Sequence, residues 1–163
     1  MTAQAFAHVD GRLASRLLEV RHDLAALDEP GFWVVVGGFE GEVTCARFAD
    51  VREAPLPAAR WSGPKRDGWT TSLDQAAYVE GVAAIRALIA QGAVYQVNLC
   101  RVLSAHSDAA DLSGLATVLA AEHPSRYPAL VCLPEVGIQI CSASPELFLS
   151  RSRDDGVDVV ATR

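Results

Sequence analysis

The sequence lacks the features that mark membrane and secreted proteins. Its 163 residues contain no run of about 20 apolar residues, the length that a membrane-spanning helix needs. The first residues carry neither the basic segment nor the apolar segment of a secretory signal. These absences predict a cytoplasmic protein that does not bind membranes.

The cysteines are not arranged in pairs. The sequence has four cysteines, at positions 45, 100, 132 and 141, and none of them forms a C-x-x-C pair. Zinc knuckles and thioredoxin-like sites need such pairs, so neither is expected. The four histidines show no metal-ligand spacing either, and no metal site is predicted within this chain. Isolated cysteines among aliphatic residues behave as small buried hydrophobes, in agreement with a reducing compartment.

Basic residues are in the minority. Lys and Arg number 14 against 20 Asp and Glu, which gives a net charge of −6. Because nucleic acid binding requires a basic surface, nucleic acid is not an expected partner. The basic cluster of Arg60, Lys65 and Arg66 around Trp61 is interpreted as a solvated turn rather than a binding patch. P-loop, Rossmann and nucleophile-elbow motifs are also missing, so none of these functions is indicated.

Hydrophobic periodicity predicts an α+β fold with mostly antiparallel sheets and flanking helices. The length and the 50% content of hydrophobic residues suit one domain with a real core. The pattern predicts helices over 11–27, 72–91 and 112–121. It predicts strands over 32–36, 43–48, 94–103, 127–133, 136–142, 146–150 and 157–162.

The clearest helix follows a loop rich in proline and glycine at 53–71. Ser72 and Gln75 have the spacing of a capping box, and Gly92 is the expected left-handed residue after the helix. Between these ends, apolar residues recur at helical spacing and form one stripe: Tyr78, Val82, Ile85 and Ile89. A histidine before a proline, His123, is interpreted as a capping or turn residue.

Four short segments carry a resemblance to a known family. They read GAVYQVNL at 92–99, HPSRYP at 123–128, SASPELFL at 142–149 and TR at 162–163. In this order they resemble the chorismate-utilising enzymes, which include anthranilate synthase component I, aminodeoxychorismate synthase component I and isochorismate synthase. The resemblance extends from about residue 74 to the end. It implies an incomplete chorismate-binding fold of the anthranilate synthase component I type.

The resemblance also implies how the chain is organised. Residues 1–163 would be a single partial chorismate-binding domain. Within it, 1–52 would supply an N-terminal helix and hairpin, 53–71 a connecting loop, and 72–163 the start of the family core.

Gln96 is the first candidate catalytic residue. On the expected strand, Val94, Gln96 and Asn98 would share one face, and Tyr95, Val97 and Leu99 would share a face that packs in the core. From the pattern alone, Gln96 either lines a cleft or satisfies backbone groups at a sheet edge. The resemblance favours the cleft: water-using members of the family have Lys at this position, and ammonia-using members have Gln. An amide is no general base, and ammonia needs none.

Glu146 is the second candidate. Pro145 restricts its own φ and favours an extended Ser144, which stiffens the chain before Glu146. The resemblance implies that Glu146 acts as the general acid that protonates the departing ring hydroxyl. Leu147, Phe148 and Leu149 are expected to provide the apolar surroundings that keep such an acid protonated. From the pattern alone, Glu146 is a surface residue at the start of a strand.

The resemblance implies an activity, a cofactor and partners. The sequence YQVN at 95–98 is more similar to aminodeoxychorismate synthase than to anthranilate synthase, which stays as the alternative. The activity would be amination of chorismate for para-aminobenzoate and folate synthesis, with ammonia from a glutamine amidotransferase subunit. The family uses Mg²⁺, whose ligands are expected outside this chain, as are most substrate-binding residues. We therefore expect this chain to be the N-terminal part of such an enzyme and to be inactive without a C-terminal half. The other alternative is a non-catalytic half-domain with a binding or assembly role.

Overall fold

The computed structural model describes residues 4–107, 112–154 and 157–161. Within them the chain forms ten strands and two α-helices. The strands are β1 Phe6–Val9, β2 Arg12–Arg21, β3 Phe32–Gly37, β4 Val43–Glu53, β5 Thr70–Thr71, β6 Leu103–Ser104, β7 Tyr127–Leu133, β8 Ile138–Ser144, β9 Ser150–Asp154 and β10 Val157–Ala161. The helices are α1 Gln75–Ala90 and α2 Ser113–Glu122, and short 3-10 helices cover Leu24–Asp28, Arg66–Gly68 and Pro134–Val136. The mixture of a curled antiparallel sheet with two helices agrees with the expected α+β class.

The chain divides into two compact units, which are described separately. One unit contains residues 1–62 and 109–163, and the other contains residues 63–108. The division expected from the sequence, with boundaries after 52 and 71, stays a prediction. No helix in the described ranges is both long enough and apolar enough to cross a bilayer.

The first unit is built on a six-stranded sheet. Its strand order is β3-β4-β2-β1-β7-β8, and every neighbouring pair is antiparallel. A buried cluster on this sheet forms the core and consists of Ala5, Ala7, Ala14, Val34, Ala46, Phe48, Val131 and Leu133. α2 packs against β7 and β8. The helix and the core thus hold the strand that leads to Glu146.

The α-helix expected over 11–27 is wrong: most of this range is the strand β2, and a 3-10 helix follows at Leu24–Asp28. Asp10 and Gly11 both have positive φ, at 52° and 71°, and they form a two-residue hairpin loop between β1 and β2. Such a loop matches the twist of antiparallel strands, and Asp-Gly is its preferred sequence. A register shift between Leu17 and Glu19 then lets Leu17 and Val20, three residues apart, both pack against the core. An irregular strand therefore produces a spacing that is typical of a helix.

Other predicted elements are confirmed in the same unit. The hairpin of β3 and β4 is present, although β4 continues to Glu53, five residues past the expected end. α2 and β7 agree with the prediction, and His123 caps α2 through its backbone N–H, which donates to Leu119 O at 2.8 Å. β8 starts at Ile138 because Pro134–Val136 is a 3-10 turn that ends at left-handed Gly137, φ 67°.

The second unit contains α1 and a short two-stranded ladder. The N-cap of α1 is Asp74, whose carboxylate accepts from Ala77 N at 2.8 Å, so the expected Ser72–Gln75 capping box is wrong. Ser72 instead accepts from Val102 N through its hydroxyl at 2.9 Å. Gly92 has the expected positive φ of 74° after the helix. Within this unit none of the described residues whose side chains are placed is fully buried.

Candidate functional site

Gln96 lies on an irregular segment and not on a strand. The expected strand over 94–103 is wrong, since residues 94–102 form no ladder and β6 begins only at Leu103. The expected faces are wrong as well: the Tyr95 side chain, assigned to the core, is 90% exposed. A strand needs a neighbouring strand for its backbone groups, and of residues 94–104 only Leu103 and Ser104 pair with one, β5. The Gln96 side chain is exposed.

The Gln96 segment is nevertheless fixed at both ends. At its start, Ala93 N donates to Leu88 O at 3.0 Å, which attaches it to the last turn of α1. At its end, Ser72 N donates to Val102 O at 2.9 Å, the second bond between these two residues. Between the two ends the Leu99 side chain lies against Gly81 of α1. The backbone that carries Gln96 is therefore anchored on the helix, while its amide points to solvent.

Glu146 lies on a bend directly after β8. The expected strand over 146–150 is wrong, because the next strand, β9, begins at Ser150. The Ser144 hydroxyl bridges the bend: it accepts from Glu146 N at 3.3 Å and donates to Glu146 O at 2.9 Å. With Pro145 between them, these bonds stabilise the turn that presents Glu146. Sequence reasoning gave Ser144 no such role, although the Ser-Pro-Glu order is a turn signal.

The surroundings of Glu146 differ from the expected apolar pocket. The Glu146 side chain is exposed, and so are two of its three apolar neighbours, Phe148 at 92% and Leu149 at 57%. Leu147 is partly buried. Apolar side chains raise the proton affinity of a carboxylate only when they exclude water from it. Three apolar residues in sequence therefore do not form the pocket by themselves, since two of the three are exposed to water.

The remaining segments of the resemblance lie at β7 and at the end of the chain. The HPSRYP segment forms the connection from α2 to β7, where the Arg126 guanidinium lies 5.6 Å from the centre of the Tyr127 ring. Thr162 and Arg163 lie outside the described residues. Gln96 and Glu146 belong to different units of the chain.

The described residues offer no cluster of metal ligands for a divalent ion. They contain no group of three or more His, Cys, Asp or Glu side chains placed to hold a metal ion. Mg²⁺ prefers several oxygen ligands, commonly carboxylates and water. The described side chains therefore supply no ligand set for the magnesium ion that the resemblance implies.

Comparison with known proteins supports the family resemblance, and three of its four segments lie inside the matched range. A sequence model of the chorismate binding enzymes matches residues 14–160, which is most of the chain. No curated protein and no solved structure matches the chain. The match begins within β2 and ends within β10, and it includes α1, the Gln96 segment and the Glu146 bend. The chain belongs to the family of chorismate binding enzymes.

Proposed function

We propose that this chain is the N-terminal part of an aminodeoxychorismate synthase component I, which aminates chorismate to 4-amino-4-deoxychorismate for para-aminobenzoate and folate synthesis. The family supports chorismate as the ligand. The observation that supports amination is the amide side chain of Gln96. It lies on a backbone anchored to α1, at the position where the water-using members of the family have Lys. Without a basic side chain there to deprotonate water, the nucleophile must be reactive in its neutral form, as ammonia is.

In the proposed reaction, Glu146 supplies the proton for the leaving group. Its carboxylic acid donates to the ring hydroxyl oxygen of chorismate as the carbon–oxygen bond breaks, so water leaves in place of hydroxide. The turn held by Ser144 and Pro145 orients this side chain. Donation at neutral pH requires a desolvated carboxyl group, and Glu146 is exposed in this chain. The proposal therefore requires that other residues cover Glu146 and exclude water from its carboxyl group.

We further propose that residues outside this chain provide that closure. Gln96 and Glu146 are both exposed, and the apolar side chains beside them, Tyr95 and Phe148, are 90% and 92% exposed. A C-terminal half of the family domain would cover them, bring the magnesium ligands and complete the substrate pocket. A glutamine amidotransferase subunit would deliver the ammonia. In this proposal the 163-residue chain has no synthase activity alone.

Product analysis tests this function. The purified chain is incubated with chorismate, an ammonium salt and Mg²⁺, alone and with a separately produced C-terminal half of an aminodeoxychorismate synthase. We expect no chorismate consumption by the chain alone and formation of 4-amino-4-deoxychorismate by the mixture. Anthranilate as the product would favour the tryptophan branch of the family. Consumption by the chain alone would contradict the need for a second half. If the mixture binds no chorismate, the chain is a non-catalytic piece.

A further inference from the structure

β3 is an edge strand of the six-stranded sheet. It pairs with β4 on one side, and no described strand pairs with it on the other side. The pairing with β4 is regular over the whole of Phe32–Gly37. An edge strand presents backbone N–H and C=O groups that a further strand can bind. The free side of β3 is therefore a place where a second polypeptide can extend the sheet.

The turn after β3 shows which backbone groups face the free side. Gly38 N donates to Glu42 O at 2.8 Å, so these two residues are a hydrogen-bonded pair directly beyond the β3–β4 ladder. In an antiparallel ladder every second residue belongs to such a pair. Counted back from Gly38, the even-numbered residues of β3 bond to β4. The odd-numbered residues, Trp33, Val35 and Gly37, therefore direct their N–H and C=O groups to the free side.

β3 has none of the features that usually prevent an edge strand from pairing. These features are charged side chains, proline and bulges. The strand reads FWVVVG, which contains no charge and no proline, and its register with β4 has no shift. Val35 is 44% exposed, and Gly37 is exposed as well. The free side is therefore open to another strand and does not repel it.

The three residues with free backbone groups are symmetric about Val35. When a second copy of β3 lies antiparallel with Val35 opposite Val35, Trp33 of each copy lies opposite Gly37 of the other. Each of these opposed pairs exchanges two hydrogen bonds, so every free N–H and C=O group of both strands obtains a partner. A register shifted by two residues leaves Trp33 or Gly37 without a partner within β3.

This register also matches the side chains of the two copies. Val34 lies opposite Val36 of the other copy, and both belong to the side of the sheet that carries the buried core cluster. The core sides of the two sheets therefore continue into each other. Trp33 lies opposite a glycine, which has no side chain to collide with. Since β3 is uncharged, no like charges lie opposite each other.

We propose that two copies of this chain bind each other through β3, antiparallel about a two-fold axis at Val35. A two-fold contact uses the same surface of both copies, which the symmetric arrangement of the free groups provides. The strand supplies only 6 residues from each copy, against about 20–30 in a standard interface, so the dimer has a micromolar dissociation constant. The dimer does not depend on the synthase reaction, because β3 contains neither Gln96 nor Glu146.

Amide hydrogen exchange of the whole chain, followed by NMR at low and high protein concentration, tests the register. At high concentration the amides of Trp33, Val35 and Gly37 should exchange several-fold more slowly, because they become hydrogen-bonded only in the dimer. The amides between them already bond to β4 and should not change. Sedimentation velocity over the same concentrations should show a monomer–dimer equilibrium. A chain that stays monomeric, or a dimer without this alternating protection, would overturn the proposal.

Substitutions at Val35 test the contact independently. Proline is tolerated in a strand where the N–H faces away from the ladder, so Val35→Pro is expected to fold. It removes both hydrogen bonds at the two-fold axis and should raise the dissociation constant of the dimer about tenfold or more. Val35→Lys, which opposes two like charges at the axis, gives the same readout if the proline variant does not fold.

Val79→Lys is the matched control for the lysine variant. Val79 is 61% exposed on α1, so a lysine there is expected to fold and to leave the dissociation constant unchanged. A dimer that persists in Val35→Pro and Val35→Lys would overturn β3 as the contact. A dimer that is lost in Val79→Lys would place the contact on α1 and would overturn the proposal as well.

Discussion

Gly114 lies against the main chain of Arg60. A Cβ atom at position 114 would be 2.6 Å from Arg60 O and 2.7 Å from Trp61 Cα. The same loop is bonded to α2, since Ala59 N donates to Thr117 Oγ1 at 3.1 Å. The residues that follow β4 are therefore packed onto the first turns of α2, and only glycine leaves room for this contact.

Gly114→Ala should destabilise the first unit. The atoms that a Cβ would meet belong to backbone, which cannot turn away as a side chain does. We expect a loss of about 1–3 kcal/mol in the free energy of unfolding, the usual cost of overpacking. Urea denaturation followed by circular dichroism measures it. An unchanged midpoint would show that the loop moves away from α2 without cost.

Gly81→Ala should raise the stability of α1, in contrast to the loss expected for Gly114→Ala. A Cβ at position 81 would lie 3.0 Å from Leu99 Cδ2, the free end of a flexible and only partly buried side chain. Because alanine favours a helix interior over glycine, we expect a gain of up to about 1 kcal/mol in the stability of α1. Amide hydrogen exchange of α1 checks this. In a Leu99→Ala background the gain should be at least as large, and a loss there would contradict the explanation.

Cys141 should make stability fall at alkaline pH. Burial raises its thiol pKa above the ordinary 9.0, so the folded chain holds this proton more tightly than the unfolded chain. The contribution of this protonated thiol to the free energy of unfolding is fully present below about pH 9. It is lost as the pH rises through the pKa of the thiol in the folded chain. Denaturant titrations between pH 7 and pH 11 should show a decline that is smaller in Cys141→Ala. Parallel pH profiles for the two proteins would contradict a raised pKa of this partly buried thiol.

Glu146→Gln tests the proposed general acid. The amide keeps the shape of the side chain but cannot give up a proton, so turnover should fall by about 10²–10⁴-fold in the complemented enzyme. The dissociation constant of chorismate should change far less. Glu135→Gln, an exposed residue in the turn before β8, is the matched control and should retain full turnover. Near-normal turnover of Glu146→Gln would remove Glu146 from the mechanism.

Gln96→Lys tests the choice of nucleophile. A lysine at this position introduces a base that can activate water, so part of the turnover should change from amination to formation of a hydroxylated product. Chromatography of the products in the complemented enzyme measures the ratio. Gln91→Lys, at the exposed C-cap of α1, adds the same charge and should leave the product unchanged. A folded Gln96→Lys protein that makes only the aminated product would exclude a discriminating role for Gln96.

Predictions from the sequence succeeded where the decisive interactions are local. The β3–β4 hairpin and α2 were predicted because turn residues and helical spacing lie within each segment. The Asp10-Gly11 loop was equally local, and its sequence is a recognised hairpin signal. This signal identifies β1 and β2, which pair directly on either side of the loop. The candidate residues themselves came from short family segments, and the family match covers both of them.

The sequence by itself determined the family, the local turns and the identity of the two candidate side chains. Only the tertiary structure decided that Arg12–Arg21 is a strand, because its backbone groups pair with β1 on one side and β4 on the other. Tertiary structure also decided that Gln96 and Glu146 lie on irregular, exposed segments. Alternating side chains form a strand only when a neighbouring strand accepts their hydrogen bonds, and apolar neighbours desolvate a carboxyl group only when they pack over it. Both conditions depend on residues distant in sequence, which no local pattern contains.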